Sequence, residues 1–550
     1  MKYLLLLTFL FYSVIGTAQG PTKGPQQNVV ITSKKNKTEV RSQENGALLV
    51  NVSKKDVRKF KADGLVRYRS FGAKGDGKTD DIDALAATHA FANQHGLAVK
   101  SDEGATYYIS GKNRTAVIQT NTDFGTAAFV IDDTNVQDRN SPVFLVSSSL
   151  QPFKLTGITS LKRNQDKINV PLPGTCLVSV TDAIVKRYIR FGPNQNDGAA
   201  QTDIFIVDKN GKVDMDAPVI WDFNQITDIT ALPLDETPLN ISGGRFTTIA
   251  NQAESKYTYY SRGITIKRSN VLVNGLEHRV TGEGDHGAPY GGFLNISDCA
   301  YVTVQNSILT GHKTYQTIGA AGVSVSMGTY DISLGRALNV SFVNCSQTNN
   351  IQDNKYWGIM GSNYCKNLLL DRCTFSRFDA HMGVANATIR NSTLGHQGIN
   401  AIGSGTFTVE NSTIYGSSLI NLRSDYGSTW QGEVFIRNCI FVPAGGKPIS
   451  ANLISGSNSG QHDFGYTSYM PERITIDSLH IDDSNHPANY QGPAIFANFN
   501  PAMTDNSYQE KFPYVRTKEV ILRRVTTASG KPLRISNNPF MFKEVKVKTD

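Results

Sequence analysis

Between residues 379 and 423 the chain places groups able to move protons and hold anions at a spacing close to that of one repeat. Asp379-Ala380-His381-Met382-Gly383, Gly398-Ile399-Asn400-Ala401-Ile402 and Leu419-Ile420-Asn421-Leu422-Arg423 align as equivalent short strands. In that alignment Ala380, Met382, Ile399, Ala401, Ile420 and Leu422 face inward. His381, Asn400 and Asn421 then form an outward polar row, with Asp379 and Arg423 beside it. The preceding segment adds Lys355 and Tyr356, the one before it His312, Lys313 and Tyr315, and His396 lies at a turn. The loop after Arg423 carries Tyr426 and Trp430, aromatics suited to stacking on a sugar ring.

These residue types suit β-elimination from a uronic acid, which needs a group to neutralise the carboxylate, a base for the C5 proton and an acid for the leaving oxygen. Arg423 with Asn400 or Asn421 can neutralise, His381 or Lys355 can be the base, and Tyr356 or Tyr426 the acid. Glycoside hydrolysis would instead need two carboxylates flanking the bond. Asp353, Asp379 and Asp425 are candidates, but none forms a pair in the alignment. Each residue also has a plainer reading. Asparagines in stacked coils form structural ladders, a histidine can join such a network, Trp430 can cover a coil edge, and Lys355, Tyr356, His312, Lys313 and Tyr315 can be solvated loop residues.

The elements that would position this row are written in a repeated phrase of alternating apolar residues followed by a polar and a small one. Its copies are Val302-Thr303-Val304-Gln305-Asn306-Ser307, Val340 to Cys345, Leu368 to Cys373, Ala387 to Ser392, Phe407 to Ser412 and Val434 to Cys439. The penultimate residue is Asn in five copies and Arg in one, with spacings of 38, 28, 19, 20 and 27 residues. A coil of a parallel β-helix takes about 20 residues, and extra length falls in loops on one side. Runs with helical period are absent. The phrase predicts a right-handed parallel β-helix, an all-β solenoid, with a shallow groove that suits a polymer. Ser307, Cys345, Cys373, Ser392, Ser412 and Cys439 share one position and predict an inward ladder of small residues rather than a disulfide.

Upstream, Phe71-Gly72-Ala73-Lys74-Gly75-Asp76-Gly77-Lys78-Thr79-Asp80-Asp81 predicts a glycine turn. Thr79 or Asp80 would cap a helix through Ala84-Leu85-Ala86-Ala87 to Phe91-Ala92, followed by strands at 96–99 and 105–109. Gly72, Gly77, Lys78 and Thr79 also satisfy a phosphate-loop spacing. The preceding Val66-Arg67-Tyr68-Arg69-Ser70 alternates with arginine, and no alternating βα pattern follows, which argues against nucleotide binding.

The glycine turn, helix and strand between about 68 and 110 resemble the N-terminal cap of the pectate-lyase-like superfamily. The coils near Arg377-Phe378-Asp379-Ala380-His381 are similar to secreted bacterial members, among them lyases acting on glycosaminoglycans. The resemblance implies a polysaccharide lyase, a glycosidase or a glycan-binding protein of the phage tail-spike kind, with calcium used by some lyases and no cofactor demanded by the sequence.

The 550 residues carry six cysteines and a formal charge of +8. Ten basic against four acidic residues between 19 and 63 hold six of those charges and Lys2 one more, leaving +1 on the body. Bulk charge therefore points to neither nucleic acid nor any other partner. Met1-Lys2-Tyr3, the apolar run Leu4 to Ile15 and Gly16-Thr17-Ala18 read as an export signal too short for a membrane anchor, which predicts a secreted or periplasmic protein; with the expected fold and the row of His, Arg, Lys and Tyr, the expected partner is an acidic polysaccharide. The expected organisation is a signal peptide at 1–18, a polar basic leader at 19–63, the N-terminal cap at 64–112 and a β-rich inserted module at 113–240. Helix coils at 241–500 and C-terminal strands at 501–550 complete it. Oligomeric state is left open.

Overall fold

The computed structural model describes residues 29–549 apart from 255, 257–258, 285–289, 445–447, 449 and 458–459. The expected signal peptide at 1–18 lies outside the described residues. Successive coils pair in parallel along three rows. One row runs Val340, Leu368, Ala387, Phe407, Val434, Ile474, Val520 and Val547. A second runs Ser346, Thr374, Thr393, Thr413 and Ile440. The third contains Asp379, Asn400, Asn421 and Ser455. The alternate apolar residues of the repeated phrase, such as Leu368 with Leu370 and Phe407 with Val409, are buried in one continuous core. Each large side chain so buried is worth about 1.5–3 kcal/mol, and stacking provides every coil with the apolar surface its neighbours need.

The recurrent asparagine is a corner residue. Asn306, Asn344, Asn391, Asn411 and Asn438 all adopt left-handed backbone with φ between 49° and 53°, a conformation asparagine tolerates better than other residues with a Cβ. Their side chains also bond from coil to coil, as in Asn344 Nδ2 to Asn306 Oδ1 at 2.7 Å. Where the third copy has Arg372 (φ 53°), the ladder continues through its neighbour, and Asn391 donates to Asp371 Oδ1 at 3.0 Å. The small-residue ladder points inward as expected, and all six cysteines are buried and free.

The N-terminal end differs from expectation. Residues 29–63 are no solvated leader: the strands Val29–Lys34, Glu39–Ser42 and Leu48–Ser53 form a sheet. The helix Lys54–Asp63 follows, with Ser53 Oγ accepting from Asp56 N at 3.0 Å. Leu48, Val50, Val52 and Phe60 join the main core, because basic residues on one face hid an apolar stripe on the other. The expected cap helix spans Ile82–His95, where Asp80 Oδ1 accepts from Ile82 N. The glycine turn is no phosphate cradle. Asp81 accepts from Lys74 N and Gly75 N, and Asp76 from Lys78 N and Thr79 N, so those amides are already satisfied.

The inserted module is also narrower than 113–240. Ala116–Ile118, Thr122–Asp132 and Phe144–Ser147 belong to the coils. The separate antiparallel sheet comprises Phe153–Lys154, Cys176–Arg187, Ala199–Val207 and Asp228–Pro233, with its own core around Val178, Phe205 and Phe223. At the other end, Glu519–Thr527, Arg534–Ser536 and Lys546–Thr549 continue the parallel rows. No described helix is long and apolar enough to cross a membrane.

Candidate functional site

The outward row is offset from the aligned one. Asp379, not His381, pairs with Asn400, which pairs with Asn421. Ser362 pairs with Ala380 and Asn363 with Met382, so His381 is the extra residue of a bulge. A two-residue slip keeps Ala380, Ile399, Ala401, Ile420 and Leu422 inside, since the strand period is two, whereas Met382, beyond the bulge, turns out of the main core and packs with Tyr188, Ile402 and Tyr426. Asn421 Nδ2 donates to Asn400 Oδ1 at 2.7 Å and Asn400 Nδ2 to Gln397 O at 2.9 Å, the structural ladder of the plainer reading.

Around Asp379 the coils and the module build a charged cluster. Asp379 is fully buried; Arg377 Nη2 lies 2.7 Å from its Oδ2, Arg423 Nη1 lies 3.7 Å from Oδ1, and the Tyr330 hydroxyl donates to Oδ2 at 3.3 Å. Gly361 makes that last bond reachable, because a Cβ there would stand 3.1 Å from the Tyr330 ring. Arg423 also grips Asp425 through two nitrogens at 2.7 and 3.1 Å, and Arg190 from the module reaches Asp425 at 2.8 Å. The guanidinium groups of Arg190 and Arg423 lie 5.4 and 5.2 Å from the Tyr426 ring centre, and that of Arg377 lies 4.8 Å from Trp357. Three guanidinium groups against two carboxylates leave one net positive charge. Arg377 Nε and Nη1 and Asp379 Oδ1 are buried without a hydrogen-bond partner. Each such group costs about 1–3 kcal/mol, a burden that stable packing alone gives no reason to carry.

His381 stands against this cluster, half-buried, with its ring 5.9 Å from that of Tyr426 and edge-on to it. Its Nδ1 is 3.0 Å from Asn363 Oδ1. An amide oxygen only accepts, so Nδ1 carries the proton and Nε2 presents a lone pair. Burial, and then the positive charges of Arg423, Arg190 and Arg377, push the His381 pKa well below the ordinary imidazole value. Burial raises the pKa of Tyr426 and that of Tyr330, so both hydroxyls keep their protons. Asp425, despite burial, is held below the usual carboxylate range by Arg423 and Arg190.

Other expected residues fall elsewhere. Trp430 is fully buried, with its indole N–H donating to Gly405 O at 3.0 Å, and is a core residue rather than a stacking platform. Tyr315 is buried as well. Lys355 is exposed and Tyr356 half-buried on the short strand Tyr356–Gly358, and neither hydrogen-bonds to the cluster among the described residues. Their neighbour Trp357, which was not expected, makes the contact. His396 lies within the strand Thr393–Ala401 rather than at a turn, and its Nδ1 bonds Ile351 O at 3.1 Å, tying that strand to a loop. His312 belongs to a separate buried network: Nε2 is 3.0 Å from Asp331 Oδ1 and Nδ1 3.0 Å from Glu283 Oε1. Lys313 Nζ bonds Glu283 O at 3.1 Å. Sequence reasoning missed Arg190, Tyr330, Trp357, Asn363 and the role of Arg377. Arg377 was legible as an arginine two residues before Asp379, whereas Arg190 lies 235 residues from the aspartate it meets. Among the described residues no group of three or more His, Cys, Asp or Glu could hold a metal ion.

The module roofs this face. Arg187 donates to Gly465 O, Ile189 N to Phe464 O at 3.2 Å and Phe191 N to Asp425 O at 2.9 Å, while Tyr188 packs on Tyr364, Tyr426 and Tyr466. No family model and no curated protein sequence matches the chain. Solved structures do. The tailspike gp61 of a Pseudomonas phage matches with a TM-score of 0.51 at 14% identity, over 84% of this chain and 80% of its own. The Gp54 tailspike of an Acinetobacter baumannii bacteriophage, in complex with capsular saccharide, matches with a TM-score of 0.50 at 12% identity, over 92% and 81%. The fold is a right-handed parallel β-helix. At these identities the likeness concerns the fold alone.

Proposed function

We propose that this protein is exported, binds an acidic, uronate-containing polysaccharide where the inserted module meets the coils, and cleaves it by β-elimination. The observation that carries the reading is the neutral His381 imidazole, its free lone pair on Nε2, set among Arg190, Arg377 and Arg423. The saccharide held by one of the tailspikes of the same fold supports a glycan ligand. The surplus positive charge draws the uronate carboxylate and steadies the charge that grows on it as C5 loses its proton. His381 Nε2 takes that proton, the C5–H electron pair becomes the C4–C5 double bond, and the C4–O bond breaks. Tyr426 protonates the departing oxygen, and solvent returns the proton from His381 to Tyr426. Hydrolysis through Asp379 and Asp425 is disfavoured, because a general acid must hold a proton near neutral pH and Asp425 is held below the usual range.

Incubation with a panel of uronate polymers, followed by ultraviolet absorbance, tests this, since only elimination makes the unsaturated product. His381→Ala should slow its appearance by about 10²–10⁴-fold. Because the His381 pKa is depressed, the base stays deprotonated through mildly acidic pH, and the rate should fall only well below the pH at which a free imidazole titrates. Unsaturated product at the wild-type rate from His381→Ala overturns the assignment. New reducing ends without absorbance would mean hydrolysis, and neither signal would mean binding alone.

A further inference from the structure

Beyond the charged cluster, the module and the coils enclose a second space of about 270 Å³. Its walls include Tyr188 and Trp221 from the module and Tyr466 from a coil loop, with Arg163 and Arg187 at its sides. Trp221 and Tyr466 are half-buried and stack with ring centres 6.1 Å apart and planes 30° from parallel. The Arg187 guanidinium lies 4.8 Å from the Trp221 ring centre and donates through Nε to Gln201 Oε1 at 2.8 Å. The exposed Arg163 reaches across the opening from module to coil, its Nη1 2.7 Å from Gln431 Oε1. No lining side chain is acidic, and neither arginine pairs with a carboxylate among the described residues.

We propose that this cleft is a subsite for one acidic pyranose ring of the polymer, a proposal that rests on the functional reading above and extends it to substrate recognition. Aromatic faces take the apolar C–H faces of a pyranose, while two guanidinium groups with amide rather than carboxylate partners keep donors and charge for an anionic substituent. The volume, about 270 Å³, falls just below the roughly 300–1,000 Å³ of drug-sized small-molecule sites, which is room for no more than a single ring. Its position is also continuous with the reaction centre. Gly383 and Val384 line it two and three residues after His381, and Tyr188 both borders it and packs on Tyr426 with ring centres 6.2 Å apart. A chain held at His381 therefore runs into the cleft.

The test is calorimetric titration of the full-length His381→Ala protein with oligogalacturonate, oligoalginate and hyaluronan oligomers, and with a neutral cello-oligomer of equal length. An acidic oligomer should bind and the neutral one should bind more weakly. Trp221→Ala should weaken binding about tenfold, the worth of one aromatic stacking contact. Arg163→Gln, an exposed change that leaves the fold intact, should weaken the acidic oligomer several-fold and leave the neutral one unaffected. Unchanged affinity in both variants, equal binding of the neutral oligomer, or no binding of any acidic oligomer overturns the subsite. Trp221- and Arg163-dependent binding without unsaturated product from the wild type would sink elimination and leave the subsite standing. Product formation with both variants binding normally would do the reverse.

Discussion

His312 is bonded through both ring nitrogens to carboxylates, Asp331 and Glu283, and lies 1% exposed beneath Tyr290 at 5.5 Å between ring centres. Burial works against a charged ring, but the hydrogen bonds and charges of Asp331 and Glu283 overcome it and push the pKa up to about 10. His312 is thus a buried imidazolium tied into its own network rather than the substrate-binding residue expected, and the surroundings of His381 shift its pKa the other way. Because its folded pKa is raised, its contribution is fully present below the ordinary value of about 6.5 and is lost as pH rises through about 10. His312→Gln should therefore cost about 3–5 kcal/mol at pH 6, the scale for breaking a buried pair, with the deficit shrinking toward pH 10. Denaturant midpoints of the two proteins across that range check it. The two histidines look alike in the chain, since what separates them is the sign of the neighbouring charges, brought from distant coils.

At the scale of elements, the repeated phrase was legible because two constraints coincide in it. Alternation places apolar residues inside, and the corner needs a residue that accepts left-handed backbone. Asn411, at φ 49°, donates to Asn391 and accepts from Asn438, both at 3.3 Å. Asn411→Ala should lower stability by about 1–2 kcal/mol for the backbone alone. Asn411→Gly should recover most of that and retain only the loss of the ladder bonds, so the order of unfolding midpoints is wild type, Gly, Ala. The bulge at His381 was not legible, since it arises from how one strand meets both neighbours and leaves no mark on the alternation.

For the whole molecule, the decisive feature is the seating of the module on the coils. Asp203 of the module and Lys366 of a coil, 2% and 1% exposed, meet at 2.8 Å, and Asn367 and Asn386 both donate to Asp216 O at 3.1 and 3.3 Å. Burial pushes the Asp203 pKa up and the Lys366 pKa down, so each ion depends on the other to stay charged. Lys366→Met alone should cost about 3–5 kcal/mol and loosen the module, read as faster proteolysis within 153–233. Lys366→Met with Asp203→Leu should restore much of the stability, because no unpaired charge is then left buried. If the site lies under the module, the single variant should lose activity and the double variant recover part of it.

The amino-acid sequence alone determined the solenoid, its inward ladder, the cap helix and the stretch around 379–426 from which much of the charged cluster is drawn, because these depend on periodicity and on residues close in the chain. Tertiary structure decided which polar groups share a site. Asp379, Arg190 and Tyr330 come from separate segments, Trp430 is drawn into the core, and residues 29–63 close the end of the helix instead of trailing from it. The physical reason is the same in each case: pairing, burial and local charge are properties of neighbours in space, and a module inserted between two coils changes those neighbours without altering the repeat.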